Sequence, residues 1–244
     1  MLPFIKIGGK LIDSSLFFWG IGIAAMLVVY VAIGGRYGLK RHTALLSGLG
    51  LLVAEIIGAK LLYIAENFSL VLETGLTFGG FSFFGIMFSV PLFSLLYARS
   101  ARIPYGQFLD FATTGILLEL AFYRIGCTCA GCCCGFACSW GIPSDDGLLH
   151  FPVQPAEAAA DLVLGAVLLV WNLRGKLRRG EQYCLYMAGY GALRFVLEFT
   201  RIRAVLFAGL SISHIWAFAA FAAGTGIFLV RRIKTDKKNE YDQT

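Results

Sequence analysis

Six of the seven cysteines in this chain fall within fifteen residues, RIGCTCAGCCCGFAC from Arg124 to Cys138, and the seventh is Cys184. Thiolates bind soft metals, pair as disulfides or act as nucleophiles. The spacing of Cys127, Cys129, Cys132, Cys133, Cys134 and Cys138 contains CxC, CxxC and adjacent pairs. No second compact CxxC and no flanking histidine completes a conventional zinc spacing, so neither a metal nor a cofactor is expected. On an oxidising face, disulfides bracing the loop are the simpler state. Adjacent cysteines rarely pair with each other, so connectivity stays open, as does a redox or acyl-carrying thiol.

Charged residues inside apolar stretches form the second set. Arg194 and Glu198, in GYGALRFVLEFTRIR, are four apart and share a helix face. They read either as an internal ion pair or as an arginine that holds a lipid phosphate while the glutamate orients it, since the planar guanidinium binds phosphate oxygens two at a time. Arg124 reads as a snorkelling side chain or as a second phosphate contact, with Gly126, Gly131 and Gly135 letting backbone approach a ligand. In HFPVQPAE, two prolines place Gln154 and Glu157 at the mouth of a helix. Gln154 is a donor to a lipid ester or phosphate, and Glu157 either complements the helix dipole or takes part in the reaction. GGFSFFG, Gly79–Gly85, reads as a turn or a close helix contact.

These residues must be positioned by membrane helices. The chain is 58% hydrophobic and 15% charged, and its 29 Gly and 21 Phe fit a polytopic helical protein whose helices approach closely. Seven spans are expected: Leu16–Gly34, Ala44–Ala65, Phe81–Tyr97, Phe108–Tyr123, Ala156–Leu173, Tyr183–Phe199 and Leu210–Val230. The Gly-broken stretch Phe68–Gly80 reads as interfacial or re-entrant. No cleavable signal peptide is evident, so the first apolar segment stays as a span.

The net charge of +6 does not indicate nucleic acid, because the basic residues sit in short clusters between apolar runs. The connections after spans one, three and five, with the C-terminal stretch, hold 14 of the 21 basic residues, which makes them cytoplasmic. The N-terminus is then outside and the C-terminus inside. The domain is expected over residues 1–230, followed by a solvated basic tail, 231–244. The cysteine-rich stretch faces outward. So do Arg201 and Arg203, whose position against the charge rule suits anion binding.

Taken together, four ordered segments resemble the prolipoprotein diacylglyceryl transferase family. GGFSFFG is similar to its GGxSFHG motif. RIGCTCAGCCCG is similar to RIGNFxNGExxG, and more closely to the RIGCFxAGCCYG form of some members. PVQPAEA is similar to HPxQLYEA, and GYGALRFVLEF to YGxxRFxxEF. The resemblance runs from about Phe18 to the last span. It implies transfer of the diacylglyceryl unit of phosphatidylglycerol, or another anionic phospholipid, to the lipobox cysteine of a precursor protein. The active site would face the extracytoplasmic side of a bacterial inner membrane. Arg124 and Arg194 match the family's two essential arginines, and Glu198, Gln154, Glu157, Gly131 and Gly135 also match.

Several positions depart from the pattern. Phe84 stands at the SFHG histidine, Cys127 and Cys132 at an Asn and a Glu, Phe151 at the HPxQ histidine, Ala156 at the QLYEA tyrosine and Trp19 at the WYG tyrosine. With Phe84 in place of a base, His150, His214 or a cysteine thiolate becomes the candidate base. The departures leave two further readings: a relative acting on another lipid or acceptor, and a non-catalytic lipid-binding or thiol-redox membrane protein.

Overall fold

The structure, a computed structural model, describes residues 2–75, 80–144, 146–202, 207 and 209–241, with side chains described as far as 234. The chain opens on a hairpin, β1 (Phe4–Ile7) and β2 (Lys10–Asp13), joined by Gly8 and Gly9. Both glycines have positive φ (55° and 83°), which a two-residue turn matching the strand twist requires. Asp13 then caps α1 (Ser14–Ile33), its carboxylate accepting from the amides of Ser15 and Leu16 at 2.8 and 3.2 Å. A short 3₁₀ turn, Gly34–Tyr37, leads into α2 (Arg41–Glu66), followed by α3 (Phe68–Thr74), α4 (Phe83–Ala101) and α5 (Tyr105–Ala130). A second antiparallel pair, β3 (Ala137–Pro143) with β4 (Leu149–His150), precedes α6 (Val153–Leu173), α7 (Glu181–Glu198) and α8 (Ile212–Tyr241).

A long helix covers each of the seven expected spans. By length and composition, α1, α2, α4, α6 and α8 could each cross a membrane. α5 and α7 carry more buried polar groups. α5 lies at the centre, packed on α1, α4, α6 and α7. It also runs seven residues past the expected end at Tyr123, so Arg124, Cys127 and Cys129 are helical. The stretch beginning at Phe68 forms α3, with Phe68, Leu70 and Leu72 exposed, and residues 76–79, including Gly79, lie outside the described residues.

Polar groups tie the helices together. Pro91 lacks an N–H, so the Met87 carbonyl in α4 has no helical donor; the Tyr183 hydroxyl of α7 donates to it instead. α7 has no capping side chain of its own. Asp110 of α5 caps it, accepting from the amides of Gly180 at 2.6 Å and Tyr183 at 3.2 Å. α2 and α4 approach through Gly58 and Gly85, where a Cβ on either would overlap the other's backbone.

The two ends of the bundle differ. At one end, Arg231 donates to the Arg179 carbonyl at 2.7 Å and Arg232 pairs with Glu181 at 2.8 Å. α8 continues to Tyr241, so the basic stretch from Arg231 begins within the helix, where Arg231 and Arg232 make these contacts. At the other end, the Leu2 amide donates to the Cys129 carbonyl at 3.0 Å, and Gly135 bridges Arg201. The cysteine-rich loop therefore sits opposite the basic connections.

Candidate active site

Glu157 lies one turn into α6 and is fully buried. Three arginines from three directions converge on it. Arg124 at the end of α5 places Nη2 3.0 Å from Glu157 Oε1. Arg194 of α7 places Nη1 3.3 and 3.1 Å from the two carboxylate oxygens. Arg201, just past α7, donates to Oε2, and the Tyr190 hydroxyl donates to Oε1 at 3.3 Å. Arg194 also reaches Glu198 Oε2 at 2.9 Å, and Ser211 donates to Glu198 Oε1 at 2.9 Å.

Among the described residues, three guanidinium groups directly contact two carboxylates, one positive charge in excess within these five groups, and the Asp161 carboxyl is buried one turn further along α6. Burying charge is tolerated only when it is paired and hydrogen-bonded. Yet Arg124 Nε and the Nε and Nη1 of Arg201, all buried, have no hydrogen-bond partner among the described residues. An excess cation with unused donors is the electrostatic signature of a site for an anion. Beside the cluster opens a cavity of about 480 Å³, lined by Arg124 and Arg194 among others. Its apolar wall includes Phe84 and Ile116, which suits acyl chains next to a phosphate.

The same cavity contains a feature the sequence reading did not single out. Glu119 of α5 accepts from Trp19 Nε1 at 2.6 Å and is hydrogen-bonded to Glu55 of α2. Two carboxyl groups held side by side away from water are stable together when they share a proton, which makes the pair a candidate proton acceptor. Each of these glutamates interrupts an apolar run, and an ionisable residue inside a span is a functional candidate by default. That signal was present in the sequence for Glu55 and Glu119 as much as for Arg194.

The remaining expected site residues divide sharply. Gln154 is turned away from the cavity lining and donates to the Cys132 carbonyl at 2.7 Å, which pins the cysteine loop. His150 does not line the cavity either. Its Nδ1 faces the Gly135 carbonyl at 2.7 Å and its Nε2 faces Asp146 at 2.8 Å. The carbonyl can only accept, and the carboxylate favours a second proton, so hydrogen bonding to Gly135 and then to Asp146 raises the His150 pKa. His214 is buried in α8, its Nδ1 accepting from the Ser211 amide at 3.0 Å, with Phe195 and Phe199 against its ring. It supports the residue that orients Glu198.

The three glycines each have a role in the packing of the chain itself. A Cβ at Gly126 would meet α1 at Ser15 and Phe18, one at Gly135 would meet Phe151 and Thr200, and Gly131 caps α5 at φ 73°. Arg203 lies outside the described residues. All seven cysteines are free thiols, so the loop is held by the helix cap, Gln154 and the β3–β4 pairing, without disulfides. Cys127 is buried, Cys132 and Cys133 are exposed, and Cys133 lines the cavity.

The sequence places this chain among known proteins. The family model described as prolipoprotein diacylglyceryl transferase matches residues 10–230. The chain is 28% identical over 209 residues to phosphatidylglycerol--prolipoprotein diacylglyceryl transferase 2 of Clostridium perfringens, covering 80% of this chain and 81% of that one. It is 27% identical over 233 residues to a phosphatidylglycerol--prolipoprotein diacylglyceryl transferase of Dehalococcoides mccartyi, covering 89% of each. A Bordetella parapertussis protein of the same name is 31% identical over 166 residues, covering 62% of this chain and 61% of that one.

Proposed function

This chain belongs to the prolipoprotein diacylglyceryl transferase family, and on that premise we propose that it moves the diacylglyceryl group of phosphatidylglycerol to the cysteine thiol of a prolipoprotein. It is a multi-pass membrane protein and a transferase of lipoprotein biogenesis. The observation that carries the mechanism is the buried arginine cluster around Glu157, with Arg124 and Arg194 lining a cavity that has an apolar wall.

The reaction forms a sulfur–carbon bond at the glyceryl carbon and breaks that carbon's bond to the phosphate oxygen. Glycerol phosphate leaves with the electron pair, so the phosphate goes from one negative charge to two. Arg124 and Arg194 meet that developing charge, with the unused Nε of Arg124 available to the phosphate. Glu198, fixed by Ser211, keeps Arg194 aimed. The thiol proton must go to a base inside the cavity, and the Glu55–Glu119 pair lies there whereas His150 and His214 do not line it.

In this reading all seven long helices span, α5 and α7 being shielded from lipid by their neighbours. The basic connections face the cytoplasm, the N-terminus lies outside, and the site opens to the extracytoplasmic face of the cytoplasmic membrane. Gathering of Arg179, Arg231 and Arg232 at the end opposite the cysteine loop supports that orientation. The span domain is then residues 1–230.

The test uses the full chain in phosphatidylglycerol vesicles with a lipobox peptide. Arg124→Lys and Arg194→Lys keep the charge but lose the planar fork, and each should slow label transfer by roughly 10²-fold or more. Unchanged turnover in both would refute the assignment. Transfer of label to a peptide lacking the lipobox cysteine would point to another acceptor.

A further inference from the structure

We propose that Cys127, Cys132 and Cys133 bind a zinc ion whose fourth position faces the cavity and takes the acceptor's thiol. The cation site stands on the cysteine geometry alone, and its thiol-activating role rests on the transfer reading above.

The helix end builds the site. α5 closes with Gly131 in the left-handed region, its amide donating to the Thr128 carbonyl at 3.4 Å, and the Cys132 amide donates to the Cys127 carbonyl at 3.2 Å. This capping turn folds the chain back so that the residue after the glycine lies against the residue five positions before it. Here both are cysteines. Cys133 then takes φ 62°, a conformation shared by only one other non-glycine residue in the described chain, Arg102. The result is three sulfur atoms all within 4.8 Å of one another. Tetrahedral zinc with Zn–S bonds of about 2.3 Å sets its sulfurs about 3.8 Å apart, so closing on the ion takes shifts of about 1 Å. Gln154 holds the loop from the other side through the Cys132 carbonyl.

Charge and access agree with this. Three thiolates and a divalent ion sum to one negative charge, beside an arginine–glutamate cluster with one positive charge in excess. A disulfide would use two sulfurs and strand the third, whereas three thiolates are the protein ligand set of an open zinc site. Cys127 is buried behind the group and Cys133 lines the cavity, so the open position points to where the phosphate would sit.

An acceptor thiol that displaces water from the ion gives up its proton to water in the cavity. The metal-bound sulfur attacks the glyceryl carbon, the carbon–oxygen bond breaks, and glycerol phosphate carries the electron pair to the arginines. The thioether product is a poor ligand and leaves. No oxidant or reductant is involved.

The test takes the full-length chain, purified in detergent under reduction, and replaces zinc with cobalt(II). Wild type and Cys184→Ser should each hold about one ion per chain and show thiolate-to-cobalt charge-transfer absorption. Cys127→Ser, Cys132→Ser and Cys133→Ser should each lose about tenfold or more in affinity. As a measurement independent of variant folding, zinc should slow alkylation of Cys132 and Cys133 in the wild type about tenfold or more. Equal cobalt binding in all variants, or no zinc protection, overturns the site. Transfer to a lipobox peptide should fall on chelation and return with zinc; transfer unchanged after complete removal of zinc overturns the thiol-activating role. A zinc-loaded chain that transfers lipid to no thiol supports the cation site and removes the transfer reading instead.

Discussion

Replacing Glu157 with glutamine tests whether this carboxylate is the hub of the site. Glu157 is fully buried and accepts from Arg124 at 3.0 Å, from Arg194 at 3.1 and 3.3 Å, from Tyr190 at 3.3 Å and from Arg201. Glutamine keeps the shape but has one acceptor oxygen and an NH₂ that faces donors. Three guanidinium groups would then share one neutral oxygen and repel each other. Each charge pair is worth about 4 kcal/mol gross at 4 Å and an effective dielectric near 20. Desolvation offsets much of that, and removing one partner of a buried pair costs about 3–5 kcal/mol net. At about 2–4 °C per kcal/mol for a chain of this size, Glu157→Gln should lower Tm by about 6–20 °C. Arg124→Ala should cost less, about 1–3 kcal/mol, because Arg194 and Arg201 still neutralise Glu157. Thermal unfolding followed by circular dichroism in one detergent measures both. If Glu157→Gln unfolds within about 1 °C of wild type, or Arg124→Ala is as damaging, Glu157 is not the hub.

Glu119→Gln keeps an acceptor for Trp19 but removes the shared proton site, so transfer should fall by about 10²–10⁴-fold with Tm little changed; equal loss of both would make Glu119 structural. Tyr183→Phe leaves the Met87 carbonyl beside Pro91 unpaired and should destabilise by about 1–3 kcal/mol in the same unfolding assay. The His150–Asp146 pair sets a pH dependence of the β3–β4 loop. His150 has a raised folded pKa, so its contribution is complete below the unfolded value near 6.5 and fades as pH rises through the folded value. Asp146, lowered by the Leu148 amide and then by His150, contributes above its unfolded value near 3.9 and loses that as pH falls through its folded value. Limited proteolysis of the loop should therefore accelerate with rising pH in wild type and less steeply in Asp146→Asn, where the Gly135 contact remains; a flat wild-type profile would contradict the pairing.

Hydropathy located all seven long helices, because runs of apolar residues near bilayer length are a one-dimensional signal. It misplaced the end of α5, since Arg124 looked like a boundary. In the fold that arginine is buried by α6 and α7 and neutralised by Glu157, a partner 33 residues away that spacing alone cannot show. Arg194 and Glu198 were legible as a pair because they are four apart on one helix. Glu157 read as a residue near a helix start, and only the convergence of three elements makes it the centre. The histidines show the fold adding contacts that spacing does not carry. His150 and His214 have suitable chemistry, but hydrogen bonds to Gly135, Asp146 and Ser211 tie them to the scaffold. The N-terminal hairpin was missed because two glycines between short mixed strands give a weak pattern beside a strongly apolar helix.

The arrangement around Glu157 also bears on how binding becomes catalysis. A cluster of three free arginines would hold a phosphodiester tightly in its ground state, and tight ground-state binding does not lower the barrier. Glu157 and Glu198 engage donors of all three arginines, so a singly charged lipid phosphate competes with two carboxylates already in place. Among the described residues, Arg124 Nε and the Nε and Nη1 of Arg201 have no hydrogen-bond partner, and the ion pairs of the same side chains fix them in place. As the carbon–oxygen bond breaks, the phosphate gains a second charge and draws the guanidinium groups, already held in place, more strongly. The interaction therefore grows along the reaction coordinate. On this argument Arg201→Ala should reduce kcat more than it raises KM. A rise in KM alone would mean that Arg201 binds ground state and transition state equally.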